Sequence, residues 1–207
     1  MLRFKPGPCP LRAVAFAALL AGLAMPARGT IVEAMTTEEM VERADLVVLG
    51  RVGSVASGID ETGERAVTDV EVSVERCPRP DPDAGPSPRT IRVRLEGGRA
   101  GDSESQIAGM PFLKSGQRVL LFLFRNEGES FYRPLGLGYG CYFCCRDPGS
   151  RRTILRRDLT GIQLVRKGAG GKFEPVEGIA DRPRPLTAFL SELEKAAANC
   201  DPGSARR

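Results

Sequence analysis

Val119-Leu120-Leu121-Phe122-Leu123-Phe124 is the longest uninterrupted apolar run beyond the first 30 residues. Six residues are too few to cross a bilayer. Apolar side chains at every position require cover on both faces, so the run reads as a strand buried on both sides. Lys114-Ser115-Gly116-Gln117 ahead of it reads as a turn. Asn126-Glu127-Gly128-Glu129 behind it reads as a hairpin turn into Phe131-Tyr132-Arg133-Pro134.

A strand of this kind needs neighbours, and weaker alternating segments supply them. Leu46 to Val55 begins apolar throughout and then alternates, with Gly50 and Gly53 marking a bulge or sharp bend. Thr68 to Glu75 and Ile91 to Glu96 show a period of two, with one wet face each. The five prolines between Pro78 and Pro88 predict a long exposed loop without regular pairing. Arg99 to Ser105 reads as a hydrophilic loop before a weak strand near Gln106 to Ala108.

Leu135-Gly136-Leu137-Gly138-Tyr139-Gly140 has the look of a phosphate loop, yet it follows Pro134 and leads into Cys-Tyr-Phe rather than a helix. It reads as a bent strand. Thr153 to Leu155 and Gly161 to Val165 give late strands, Gly168 to Gly171 a turn, and Ala180 to Pro185 a linker.

Helices frame this array. Thr36 and Glu39 have capping-box spacing ahead of a short helix through Arg43. Leu186, Phe189, Leu190 and Leu193 repeat at i, i+3, i+4 and i+7, predicting an amphipathic helix within 181–199. The fold class expected is mainly β: a small, partly closed antiparallel barrel over 30–180 with short terminal helices, or alternatively a β-sandwich. Residues 200–207 read as a disordered tail.

The first 29 residues read as a secretory signal peptide. Arg3, Lys5 and Arg12 precede the apolar stretch Ala13–Met25, and Ala27 and Gly29 supply small residues for cleavage. Thr30 is then the first mature residue, and about 178 residues remain, enough for one cored domain. The whole chain carries 30 basic and 26 acidic residues. Arg3, Lys5, Arg12 and Arg28 belong to the leader, so the mature part is balanced at 26 of each sign. That balance predicts neither a nucleic-acid partner nor a membrane partner after cleavage. Arg151-Arg152 and Arg156-Arg157 form a local basic patch, read as a solvated face.

The chain contains no histidine, which removes Ser-His-Asp and Cys-His triads, His-ligated zinc and His acid–base chemistry together. Asp69, Glu71 and Glu96 alternate on strand faces without the spacing of a paired acid and base. No catalytic residue and no cofactor is expected.

Several pieces taken in order carry a resemblance: Ala44-Asp45-Leu46-Val47-Val48-Leu49-Gly50-Arg51-Val52, Gly97-Gly98, Gly109-Met110-Pro111-Phe112, Ser115 to Leu123, Gly136 to Gly140 and Leu159-Thr160-Gly161. Over roughly residues 36–166 the chain resembles a group of secreted, largely uncharacterised bacterial proteins. That group is distantly similar to the OB-fold module of tissue inhibitors of metalloproteinases and netrin-like domains. The resemblance implies an OB-like barrel. The inhibitors' zinc-chelating mechanism needs a cysteine at the mature N-terminus, where this chain has Thr30, so inhibition by that route is not carried over.

Outside the leader lie Cys77, Cys141, Cys144, Cys145 and Cys200. In an oxidising compartment they are disulfide candidates, with one thiol left over. Cys144 and Cys145, adjacent on a strand, point to opposite faces, so Cys77 and Cys200 are the expected partners, Cys77 with Cys144 or Cys145 foremost. The alternative takes Cys141, Cys144 and Cys145 as soft-metal ligands or a redox dithiol. The function expected is a non-catalytic exported binding or structural module of the cell envelope or extracellular space, with another protein as its partner. A metal or thiol-redox protein is one alternative. A protease inhibitor using the Pro78–Pro88 loop is the other.

Overall fold

The computed structural model describes residues 29–84, 88–168, 170–176 and 182–200. Residues 1–28 of the anticipated 1–29 leader, part of the proline loop, all of 177–181 and the tail from 201 lie outside them. The chain is mainly β. Its elements are β1 (Thr30–Glu33), α1 (Thr37–Arg43), β2 (Leu46–Ile59), β3 (Ala66–Arg79), β4 (Thr90–Glu96), β5 (Gly98–Ala100) and β6 (Ser103–Ser105). Then follow β7 (Arg118–Phe124), β8 (Arg133–Pro134), β9 (Cys141–Arg146), β10 (Thr153–Arg156), β11 (Ile162–Lys167), β12 (Phe173–Pro175), β13 (Arg184–Pro185) and α2 (Leu186–Asn199).

The apolar run forms β7, and both of its faces are covered. The main sheet runs β13-β10-β9-β7-β2-β3-β4, with β8 paired to β7 by the expected hairpin. Leu120 and Phe122 enter one core, and Val119, Leu121 and Leu123 enter another on the opposite face. Helices α1 and α2 roof the first core, where Phe122, Tyr142 and Phe189 stack with centroids 5.3–6.5 Å apart. Burying a side chain such as Phe122 contributes about 1.5–3 kcal/mol. The second core is enclosed by the curling of the sheet itself, with Val70, Val72, Ile91 and Val93 on its far wall.

That curl starts where glycine allows it. The β2–β3 register shifts between Val47 and Gly50 and again between Val52 and Val55, the second shift spanning Gly53. β4 then approaches the segment before β8: Tyr132 N–H donates to Arg92 C=O (2.9 Å) and Arg94 N–H to Tyr132 C=O (2.8 Å). The sheet ladders themselves remain open at β4 and β13.

Thr36 caps α1 as its sequence predicts, with the reciprocal Glu39 bond in place. Other expectations are corrected. The 135–140 stretch is no strand: Gly136 takes φ 63°, and Leu137–Gly140 make a 3₁₀ turn. Tyr139 fixes that turn from outside, its hydroxyl donating to Met35 C=O (2.7 Å) and accepting from Met35 N–H (3.1 Å). Arg99 to Ser105 pairs as the β5–β6 hairpin, and 106–108 form no strand.

β3 continues through Pro78 to Arg79, both buried, because β4 has already ended opposite Ser73 and proline there needs no outward donor. The expected linker contributes Arg184 and Pro185 to the sheet edge through pairing with β10. Strand β1 was not anticipated. It pairs in parallel with β11, and β12 completes this second, three-stranded sheet.

Candidate functional site

Among the described residues β1 is the outer strand of its sheet, and its parallel ladder uses one side of the backbone only. Thr30 N–H donates to Gly161 C=O (2.8 Å), and Ala34 N–H donates to Val165 C=O (2.7 Å). By the alternation of a strand, the amide and carbonyl of Ile31 and Glu33 point the other way. On that side lies a groove of about 560 Å³ between β1 and the 133–137 segment. Met35, Met110, Phe124, Pro134, Leu135 and Leu137 make its surface apolar, and Ile31 stands 65% exposed beside it.

The charges around the groove are matched. Glu33 pairs with Arg43 (2.9 Å), and Arg133 pairs with Glu96 and with Glu129 (2.9 Å). Arg94, buried, bonds Asp69 (2.8 Å) and Glu61 (2.5 Å). Its hydrogen bond pulls the Glu61 carboxyl down to about 2, and the bonds from Asp69 and then Glu61 raise the guanidinium above its usual range. Arg92, Arg94 and Arg133 surround the Phe131 ring at 5.4, 4.1 and 5.0 Å from its centroid. These arginines are structural ties on this geometry, and the groove between them carries little net charge.

The carboxylates weighed from sequence are similarly occupied. Asp69 and Glu96 serve the arginine ties, and Glu71 accepts from the Ser54 hydroxyl (3.1 Å). A further acid, Asp81, is buried where the proline loop was expected to be exposed. It accepts from the Tyr132 hydroxyl (2.9 Å), from Asp83 N–H (2.9 Å) and from Arg125 (3.0 Å). Burial first, then the Asp81 bond, raises the Tyr132 phenol. With Arg79 donating to Ala44 C=O and Asp45 C=O, the start of that loop is pinned to the body. Pro78, Arg79 and Asp81 therefore cannot form the projecting contact of an inhibitor loop.

The cysteines are dispersed. Cys141 is fully buried in the β3–β4 core, while Cys144 packs against the helix-covered core on the opposite face. Cys145 is exposed. Burial raises the Cys141 thiol, Cys144 adding a little, and burial raises Cys144 to about 11 against the opposing effect of Arg118. Sulfurs split between two faces do not converge on one ion. Among the described residues no group of three or more Cys, Asp, Glu or His is placed to hold a metal.

Cys77 packs against the β3–β4 core and Cys200 against the other. β2 and β7 stand between β3 and β9, so about 14 Å of sheet separates Cys77's strand from that of Cys144 and Cys145. A disulfide needs Cα atoms within about 7 Å, so this sheet order gives the favoured pairing no support. Among the described residues no disulfide is formed.

Sequence reasoning missed the groove because it depends on β1, a four-residue strand whose partner lies some 130 positions away. The local signal was only Thr-Ile-Val-Glu ahead of a capping box. No protein-family model matches this chain, and no curated protein matches it.

Proposed function

We propose that this chain is a non-catalytic binding module, acting after export, that takes an extended, uncharged apolar peptide along the open edge of β1. The observation that carries the reading is the juxtaposition of a strand edge left unpaired among the described residues with an apolar groove. Backbone hydrogen bonds from Ile31 and Glu33 would give the peptide direction, and the groove would take alternate side chains. Up to four such bonds, each worth about 1 kcal/mol net, amount to a few orders of magnitude in affinity. The balanced rim charges favour an uncharged occupant over an acidic or basic one. The lack of histidine and the structural employment of the acids support a module that binds rather than reacts.

The same reading includes the OB-like barrel and the export leader. The approach of β4 to Tyr132 supports the barrel, since it brings β7, β2, β3, β4 and the 131–134 segment round a single core. The basic, apolar and small-residue order of 1–29 supports the leader.

The test is an amide-shift titration of the 30–207 chain with capped peptides of alternating Val and Thr. Saturable shifts confined to 30–35 and 133–137 are expected. Ile31→Pro, which removes an outward donor but no ladder bond, should weaken them about tenfold without loss of fold. Absence of saturation across the peptide panel at millimolar concentration would overturn the proposal. N-terminal sequencing of the extracytoplasmic product tests the export reading, with Thr30 as the expected first residue.

A further inference from the structure

A second cavity, away from the β1 groove, carries an excess of positive charge. It occupies about 720 Å³ at the Arg118 end of the main sheet, where α2 meets β10. Arg76, Arg118, Arg152 and Glu75 line its charged side, Thr153 and Thr187 add hydroxyls, and Leu49, Leu186 and Leu190 form an apolar floor.

The ion pairs there leave a surplus. Glu75 is shared by Arg118 (2.6 Å) and Arg51 (3.7 Å), and Glu194 serves Arg76 (2.8 Å). Among the described residues, Arg152 has no acid within ion-pair distance, and none pairs with Arg146, which sits in register opposite Thr153. The nearby Asp147 is turned inward on its own hairpin, accepting from Ser150 N–H (2.9 Å) and from the Ser150 hydroxyl (2.5 Å). Three guanidinium groups, those of Arg76, Arg118 and Arg152, therefore line one concave surface with Glu75 as its single lining carboxylate, and Arg152 is the one left unmatched among the described residues. The balance of 26 charges of each sign over residues 30–207 conceals this local excess.

We propose that this cavity binds an oxyanion of the phosphate or sulfate type, with Arg152 and Arg118 as its principal donors. Arg118 is held in place by Glu75 and keeps donor groups beyond the one spent on that carboxylate. Arg152 supplies an unmatched planar fork suited to two oxygens of a tetrahedral anion. The threonine hydroxyls can complete the shell, and the leucine floor would accept an apolar substituent on the anion. The chemistry is shared by a soluble phosphate ester and by a phospholipid headgroup.

Isothermal titration of the 30–207 chain with inorganic phosphate, at ionic strength held constant with chloride, is the direct test. Saturable binding is expected, about tenfold weaker in Arg152→Glu, as reversing one charge at contact distance requires. Arg166→Glu, on β11 away from the cavity, should bind as the unaltered chain does. Phenyl phosphate distinguishes the soluble source, and co-flotation with phosphatidylglycerol but not phosphatidylcholine vesicles distinguishes the headgroup. Circular dichroism confirms that each variant is folded. Heat that tracks ionic strength alone, or equal phosphate affinity in folded Arg152→Glu, overturns the assignment.

Discussion

Replacing Tyr132 with phenylalanine removes one oxygen from the buried Asp81 site and keeps the ring. Asp81 is 4% exposed and its carboxylate meets the Tyr132 hydroxyl at 2.9 Å, Arg125 at 3.0 Å and the Asp83 amide at 2.9 Å. Tyr132→Phe deletes the first of these and leaves the other two, so the loss is that of one hydrogen bond to a charged group, about 1.5–3 kcal/mol. Asp81→Ala instead strands both the hydroxyl and the guanidinium of Arg125, and should cost about 3–5 kcal/mol. In a domain of this size each kcal/mol moves the melting temperature by about 2–4 °C, so Tyr132→Phe should melt roughly 3–12 °C lower.

A double-mutant cycle in urea gives the coupling between the two side chains, expected at about 1 kcal/mol or more. The pH dependence supplies a second signature. The folded phenol has its pKa raised above 10.0, so its contribution is fully present below pH 10 and fades as pH rises beyond that value. Tyr132→Phe should therefore flatten the alkaline limb of the stability curve. If the variant were as stable as the parent, or Asp81→Ala no worse than Tyr132→Phe, the buried anchor would be misassigned.

Two further outcomes follow from the geometry. A methyl added at Gly140 would lie 2.3 Å from the Leu135 carbonyl oxygen, so Gly140→Ala should lower stability by about 1–3 kcal/mol or more, whereas Gly149→Ala, with only ordinary contacts, should be near neutral in urea denaturation. In the reduced chain near pH 8, iodoacetamide should reach Cys145 readily and Cys144 slowly. A pKa of about 11 rather than 9.0 leaves Cys144 about a hundredfold less thiolate than an ordinary thiol, and Cys141 should react only on unfolding. Because the Cys144 pKa is raised by folding, that thiol's contribution persists below pH 9 and fades between 9 and 11. Mass mapping of the alkylated peptides checks the order.

The local patterns that proved legible are those whose physics is local. The apolar run of β7, the Thr36–Glu39 capping box, the β2 glycine bend and the stripe of α2 each follow from neighbours a few residues apart. What escaped depends on distant groups. The 3₁₀ turn at Leu137–Gly140 rests on Tyr139 gripping Met35 from 104 positions away. β3 runs through Pro78 only because it has become an edge there, which the proline count alone does not reveal. The open side of β1 and the arginine excess around Arg152 likewise exist only once strands far apart are set side by side.

Because β7 is greasy on both sides, its own letters say little about how far it should slide along its neighbours. The stops are at its extremities: Arg118 is tethered to Glu75, while Asp45 donates its amide to Leu123 C=O and accepts Arg125 N–H. Like the end plates of a sash window, these fittings fix the travel of a pane that would otherwise move freely. Loosening both ends at once would let the two interiors trade residues, and the molecule would lose its single arrangement before it lost its compactness.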